Sequence, residues 1–205
     1  NKFYWPAANE ILLKNYNLEK KYPDWTIVCN NDILFNDKFF LDKLCKYDGK
    51  LYNVIGPNII TSSNKYLNPF MKNSMSVGKK LFWDLFFKSF YLSLLISFFL
   101  KFKNFFKKNI LLNKITKVYA VHGSAIIFSK HFFEKGGALD SNFKLFCEEL
   151  TTAEISRKIG SSIFFLPDLN LIHCEHSSTK KHDRKKLFKI ARESHKYFIQ
   201  EYFKK

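Results

Sequence analysis

Apolar positions along the chain come in short runs between polar breaks, and the spacing inside each run predicts its element. Trp25, Ile27, Val28 and Cys29 form a continuous run that breaks at Asn30-Asn31-Asp32, which predicts a buried strand over 24–30. Phe40 and Leu44 lie four apart behind Asn36 or Asp37 as a cap, the pattern of a short helix. A second strand is predicted over 51–56, ending at Gly56-Pro57, and the polar stretch 61–76 reads as a loop. Two short strands, 118–121 and 125–129, flank the turn His122-Gly123-Ser124, and a helical turn over 130–135 stops at Gly136-Gly137. Residues 148–159 predict a helix stopped by Gly160. Strands over 162–166 and 169–173 lie on either side of Pro167-Asp168, and a last helix over 184–203 puts Leu187, Ile190, Ser194 and Phe198 on one stripe. Strands alternating with helices predict an α/β domain with a mostly parallel sheet flanked by helices.

Residues 81–108 break this pattern. The segment is rich in Phe and Leu, carries Asp84 and Lys88, and ends on Lys101, Lys103, Lys107 and Lys108. Its uncharged part, 89–100, is shorter than the roughly 18 residues that span a bilayer. An amphipathic helix in a membrane interface, with the lysines at the headgroups, is the expectation; a helix packed on the domain or on a second subunit is the alternative. The chain as a whole carries net charge +16 with 46% apolar residues, a globular composition suited to anionic partners. The bias towards Lys, Asn, Ile and Phe weakens that inference, because AT-rich coding alone produces it. Cys29, Cys45, Cys147 and Cys174 are widely spaced without a CxxC pair, which fits free thiols in a reducing compartment. The polar start, without an apolar core, does not read as a signal peptide.

Three groups carry candidate chemistry. Asn30-Asn31-Asp32 at a strand end could hold a hard cation, or could simply be an Asx-turn. Glu148 and Glu149 open a helix, where the dipole favours carboxylates; one of them could also serve as a general base. His173, Cys174, Glu175 and His176 follow a strand, but the spacings of a structural zinc site are missing, leaving one metal-binding His or a plain strand-end His.

The order of these groups resembles the family 2 glycosyltransferases, particularly the rhamnosyltransferase-like branch. NEILLKNY…WTIVCNNDILFNDKFFLDKL is similar to that family's asparagine-bearing helix and the strand ending in its variant DxD motif. VHGSAIIFSKHFFEKGGALDSNFKLFCEELTTAEISRKIGSSIFFLPDLNLIHCEHSS resembles its acceptor-side block. The resemblance implies a GT-A (Rossmann-like) fold over 1–178 whose first nucleotide-binding strands precede Asn1. Residues 61–117 would be a variable insertion, and 179–205 a basic connector with a C-terminal amphipathic helix. It further implies that Asn9, Asn30 and Asp32 bind a nucleotide-sugar donor, and that Asp32 and His173 share a divalent cation, Mg²⁺ or Mn²⁺. Glu149 would be the base and Glu148 its acidic partner, with Gly123, Ser124, Asp140 and Arg157 on the acceptor side. If so, Asp32 and His173 should come within about 8 Å of each other, close enough to share a cation through a water or phosphate.

The implied reaction is an inverting sugar transfer to a saccharide or lipid-linked saccharide in cell-surface polysaccharide synthesis. It would run on the cytoplasmic side, at the inner face of the membrane through 81–108, with no nucleic-acid partner. Two other classes fit the composition: a basic module binding anionic lipid or nucleic acid, and an inactive remnant of the enzyme.

Overall fold

The computed structural model describes residues 3–16, 21–105, 112–174 and 183–203, with side chains left out of the account over 101–105. Glu175, His176 and the connector up to residue 182 lie outside the described residues, as do Lys107 and Lys108. Six strands form one open sheet: β1 (Trp25–Cys29), β2 (Ile33–Leu34), β3 (Val54–Thr61), β4 (Thr116–Val118), β5 (Ala125–Ser129) and β6 (Ile163–His173). They run in the order β1-β5-β3-β6-β2, with β4 also on β6. Among the described residues there are seven α-helices: α1 (Tyr4–Tyr16), α2 (Phe40–Leu44), α3 (Val77–Phe86), α4 (Phe90–Phe105), α5 (Lys130–Glu134), α6 (Glu148–Lys158) and α7 (Arg184–Phe198).

The mixed α/β class holds, but the expected mostly parallel sheet does not. Among the described residues only β3 and β6 pair in parallel. β5 lies antiparallel to both β1 and β3, and β2 and β4 lie antiparallel to β6. Parallel neighbours need a crossover connection, usually a helix. Here the turn after β1 leads straight into β2, and the long excursion after β3 returns as the edge strand β4, so neither connection adds a parallel neighbour.

The sheet is buried on both faces because alternate residues of its central strands point to opposite sides. Ile126 and Phe128 of β5 join Val54, Ile163 and Phe165 in a core covered by Trp5 of α1, Phe132 of α5, Ala153 of α6 and Phe198 of α7. Ala125 and Ile127 face the other way, with Ile55, Ile59 and Leu171, onto Phe40 and Leu44 of α2. The periodicities behind α2, β5 and α6 are therefore those of the observed elements. Asp37 accepts from the backbone N–H of Phe39 at 2.9 Å ahead of α2, and Gly160 ends α6 with φ +66°.

Two elements run on where the sequence suggests a break. β3 continues through Gly56-Pro57 to Thr61, and β6 is one strand across Pro167. The pairing of β3 with β6 shifts between Pro57↔Leu166 and Asn58↔Asn170, so Pro167, Asp168 and Leu169 bulge out of register. The bulge is held to the end of α2 by Tyr47, whose hydroxyl bonds both Asp168 carboxylate oxygens at 2.7 Å. The single helix expected over 81–108 is two helices, α3 and α4, interrupted at 87–89. Phe87 at the break lies against His195 and Phe188 of α7, with ring centroids 4.9 and 5.9 Å away.

At Gly56 the β3 backbone passes directly over Val121. A Cβ there would lie 2.3 Å from Val121 Cγ1 and 2.5 Å from its Cβ, with no flexible side-chain end to yield. Gly56→Ala should therefore destabilise the fold by about 1–3 kcal/mol, as overpacked cores do. Thermal melting should show this as a fall of about 2–12 °C, and an unchanged midpoint would mean that β3 sits further from Val121 than described.

Candidate functional site

The turn His122-Gly123-Ser124 between β4 and β5 is the hub of a polar cluster. On one side the Ser124 carbonyl accepts from the backbone N–H of Asn30 at 2.9 Å, fixing the end of β1. On the other, Gly123 N–H donates to Glu149 Oε1 at 3.0 Å. A Cβ at Gly123 would lie 2.9 Å from that same Oε1, so only glycine lets the two groups approach this closely. The hydroxyl of Tyr4, at the start of α1, donates to the Gly123 carbonyl at 2.6 Å.

Beside the hub, Asp32 and His173 meet. The turn after β1 is closed by a bond from Ile33 N–H to the Asn30 carbonyl, and Ile33 then pairs with His173. Cys174 N–H donates to the Asp32 carbonyl at 2.9 Å. These contacts bring His173 Nε2 to 3.1 Å from Asp32 Oδ1, well inside the expected 8 Å. Both side chains are largely buried, and among the described residues Nδ1 of His173 has no hydrogen-bond partner. His122 is their neighbour. Burial and the charge of His173 push its pKa down to about 4, so it is a neutral ring at pH 7, with Nδ1 2.9 Å from Ser124 Oγ.

Glu148 and Glu149 sit at the first turn of α6 in different surroundings. Glu148 is buried, and its Oε2 accepts from Cys147 N–H at 2.7 Å; the backbone N–H groups of Phe146 and of Glu148 itself also favour its charged form. Phe146 has φ +68°, a left-handed conformation disfavoured for a bulky residue, and it helps turn these donors onto one carboxylate. Burial, and then the charge of Glu149, nevertheless push Glu148 up to about 7. Glu149 remains partly exposed and is also raised by burial, against the bonds from its own backbone N–H and from Gly123 N–H. The helix dipole that should keep the pair ionised contributes about 0.3–1 kcal/mol. A rise from 4.5 to about 7 corresponds to about 3 kcal/mol, so desolvation outweighs it.

The remaining expected site residues lie elsewhere. Asn9 is further along α1, its amide donating to Ser141 Oγ at 3.3 Å beside a shallow groove. Asp140 is buried and fully bonded. Its Oδ1 accepts from the backbone and amide N–H of Asn142, and its Oδ2 from the hydroxyls of Tyr197 and Tyr202 at 2.8 and 2.6 Å, so it ties the C-terminal helix down. Arg157, at the far end of α6, bonds Glu154, which in turn accepts from Tyr119. Asn30, Asp32, Gly123, Ser124, Glu148, Glu149 and His173 are thus gathered around one turn, while Asn9, Asp140 and Arg157 are not.

Two members escaped the sequence reading. His122 stood in view in the turn, but its role comes from His173, which only the fold brings near. Tyr4 reaches Gly123 across 119 positions and left no local signal. The chain matches no protein-family model, and a search of curated proteins finds no match.

Proposed function

We propose that the protein is a family 2-type glycosyltransferase acting by inverting transfer of a sugar from a nucleotide-sugar to a saccharide or lipid-linked saccharide. The observation that carries this reading is the arrangement around Gly123: a raised-pKa acidic pair on one side and the Asp32–His173 pair on the other. Glu149 is partly exposed and accepts from its own backbone N–H and from that of Gly123, and its carboxylate keeps further lone pairs to take the proton of an acceptor hydroxyl. A carboxylate with a raised pKa is a stronger base near neutrality than an ordinary one. Glu148, turned back onto backbone N–H groups, positions the start of the helix. The proton passes to Glu149 as the acceptor oxygen bonds to the anomeric carbon and the sugar–phosphate bond breaks, so no covalent intermediate is needed.

A carboxylate and an imidazole nitrogen facing it, Asp32 Oδ1 and His173 Nε2, form a donor pair suited to Mn²⁺ or Mg²⁺. Among the described residues no third His, Cys, Asp or Glu joins them into a closed site. Asp32 and His173 would therefore hold the cation with the rest of its shell left to water and the donor diphosphate. When bound, the cation supplies Lewis-acid neutralisation of the leaving group. On this reading the enzyme works on the cytoplasmic side, peripheral to the inner face of the membrane.

The test is release of nucleoside diphosphate by the full-length protein from a panel of nucleotide-sugars, with and without chelator. We expect turnover that needs Mn²⁺ or Mg²⁺, is lost in EDTA, and falls at least about tenfold at limiting metal in Asp32→Asn or His173→Ala. Turnover indifferent to EDTA would remove the metal role. No turnover of any donor, together with steeply salt-dependent nucleic-acid binding, would favour a basic binding module instead.

A further inference from the structure

α3 and α4 turn apolar faces to solvent. Val77, Leu81 and Leu85 recur every four residues on α3 and are at least half exposed, while Tyr91, Leu95 and Phe99 recur every four on α4 at 72%, 54% and 63% exposure. The opposite sides face the protein: Trp83 packs on the core, Asp84 bonds His195 of α7 at 3.0 Å, and Ser93 is buried. Phe188 of α7 touches the break between the two helices and the start of α4, its ring centroid 5.9 Å from that of Phe87 and 5.5 Å from that of Phe90. This contact sets the first half of α7 beside the junction from which the two apolar faces run. That half carries Arg184, Lys185, Lys186 and Lys189, all exposed, and no acidic residue precedes Glu193 within the helix. Asp84, the sole carboxylate of α3 and α4, is occupied by Lys80 at 2.6 Å and by His195.

We infer that α3, α4 and the basic half of α7 form one docking surface for an anionic lipid bilayer. The two apolar faces enter the interface, and the α7 cations lie at the headgroups. No described helix is long and apolar enough to cross a membrane, and α4, at 16 residues, spans about 24 Å; both helices therefore lie in the interface. A second copy of the chain is the less suitable occupant. Pairing these faces would bring two basic α7 flanks together on molecules that each carry +16. The sequence continues the basic character with Lys101, Lys103, Lys107 and Lys108. This surface is more than the 81–108 segment alone, because α7 supplies cations from a part of the chain about 100 residues away.

The inference is tested by cosedimentation of the full chain with vesicles of phosphatidylcholine, alone or doped with phosphatidylglycerol, at low and high salt. The protein should pellet with the anionic vesicles, weakly or not at all with the neutral ones, and salt should release it. Leu95→Glu with Phe99→Glu alters outward side chains, so circular dichroism should be unchanged while partitioning falls at least about tenfold. Lys185→Gln with Lys189→Gln should lower binding to the anionic vesicles about 25-fold and leave binding to neutral ones unchanged. Vesicle binding equal to wild type in the folded Leu95/Phe99 variant would overturn the inference. So would a wild-type dimer that this variant converts to a monomer, since the face would then be a self-association surface. None of these readouts needs turnover, so their failure leaves the Glu149 reading standing, and loss of that reading leaves the membrane surface standing.

Discussion

Glu149→Gln should lower turnover by roughly 10²–10⁴-fold while donor binding changes little, the loss expected when a positioned general base is removed. The amide keeps the size of the side chain and still offers an oxygen to Gly123 N–H, now 3.0 Å from Oε1. What disappears is the basic oxygen. Glu148→Gln should cost less, because its carboxylate is already bonded to backbone N–H groups, Cys147 N–H at 2.7 Å among them. Steady-state kinetics on the two variants, with donor affinity measured separately, decide the assignment. Loss of turnover in Glu148→Gln with Glu149→Gln spared would make Glu148 the base. Two active variants would remove the proposed transfer mechanism.

The same carboxyl groups and His122 should give the fold two opposed pH dependences. The folded-state pKa of Glu148, about 7, lies above its ordinary 4.5. Its contribution to stability is therefore complete below about 4.5 and is lost as pH rises towards 7, about 3 kcal/mol in all. His122 behaves the other way, since its pKa of about 4 lies below the ordinary 6.5. Its contribution is complete above about 6.5 and is lost as pH falls to 4, again about 3 kcal/mol. Melting measured without added cation should thus show Glu148→Gln gaining on wild type as pH rises from 4.5 to 7, and His122→Asn gaining as pH falls from 6.5 to 4. Each change should be about 6–12 °C across its window. Parallel melting curves for a variant and wild type would mean that the group is not held in the surroundings described.

Local signals were legible and long-range ones were not. β5 and the end of α6 could be read from the sequence because a continuous apolar run and a glycine stop report on neighbouring residues. β3 was cut short because a proline normally ends a central strand. Pro57 is tolerated because the register with β6 shifts immediately after it. Strand direction was misjudged because alternation of side chains is the same in parallel and antiparallel neighbours. In the site, Asp32 and His173 are paired in advance only through the family resemblance, whereas Tyr4 and His122 acquire partners through the fold. Asp140 is a site residue only by the family resemblance, yet its oxygens are taken by Asn142, Tyr197 and Tyr202.

The bulge at Pro167, Asp168 and Leu169 gives this stretch a particular evolutionary grammar. Three residues are passed over between one β3 partner and the next, so the bulge sets the phase of everything downstream to His173. Side chains alternate between faces with a period of two, and a slip of one residue exchanges the faces. A codon lost here and not compensated by the bulge would turn His173 away from Asp32 with every coding letter of the site intact. A changed codon at Asp168 would only weaken the hold of Tyr47. Lineages descended from this sequence should accordingly accumulate substitutions in the bulge and keep its length.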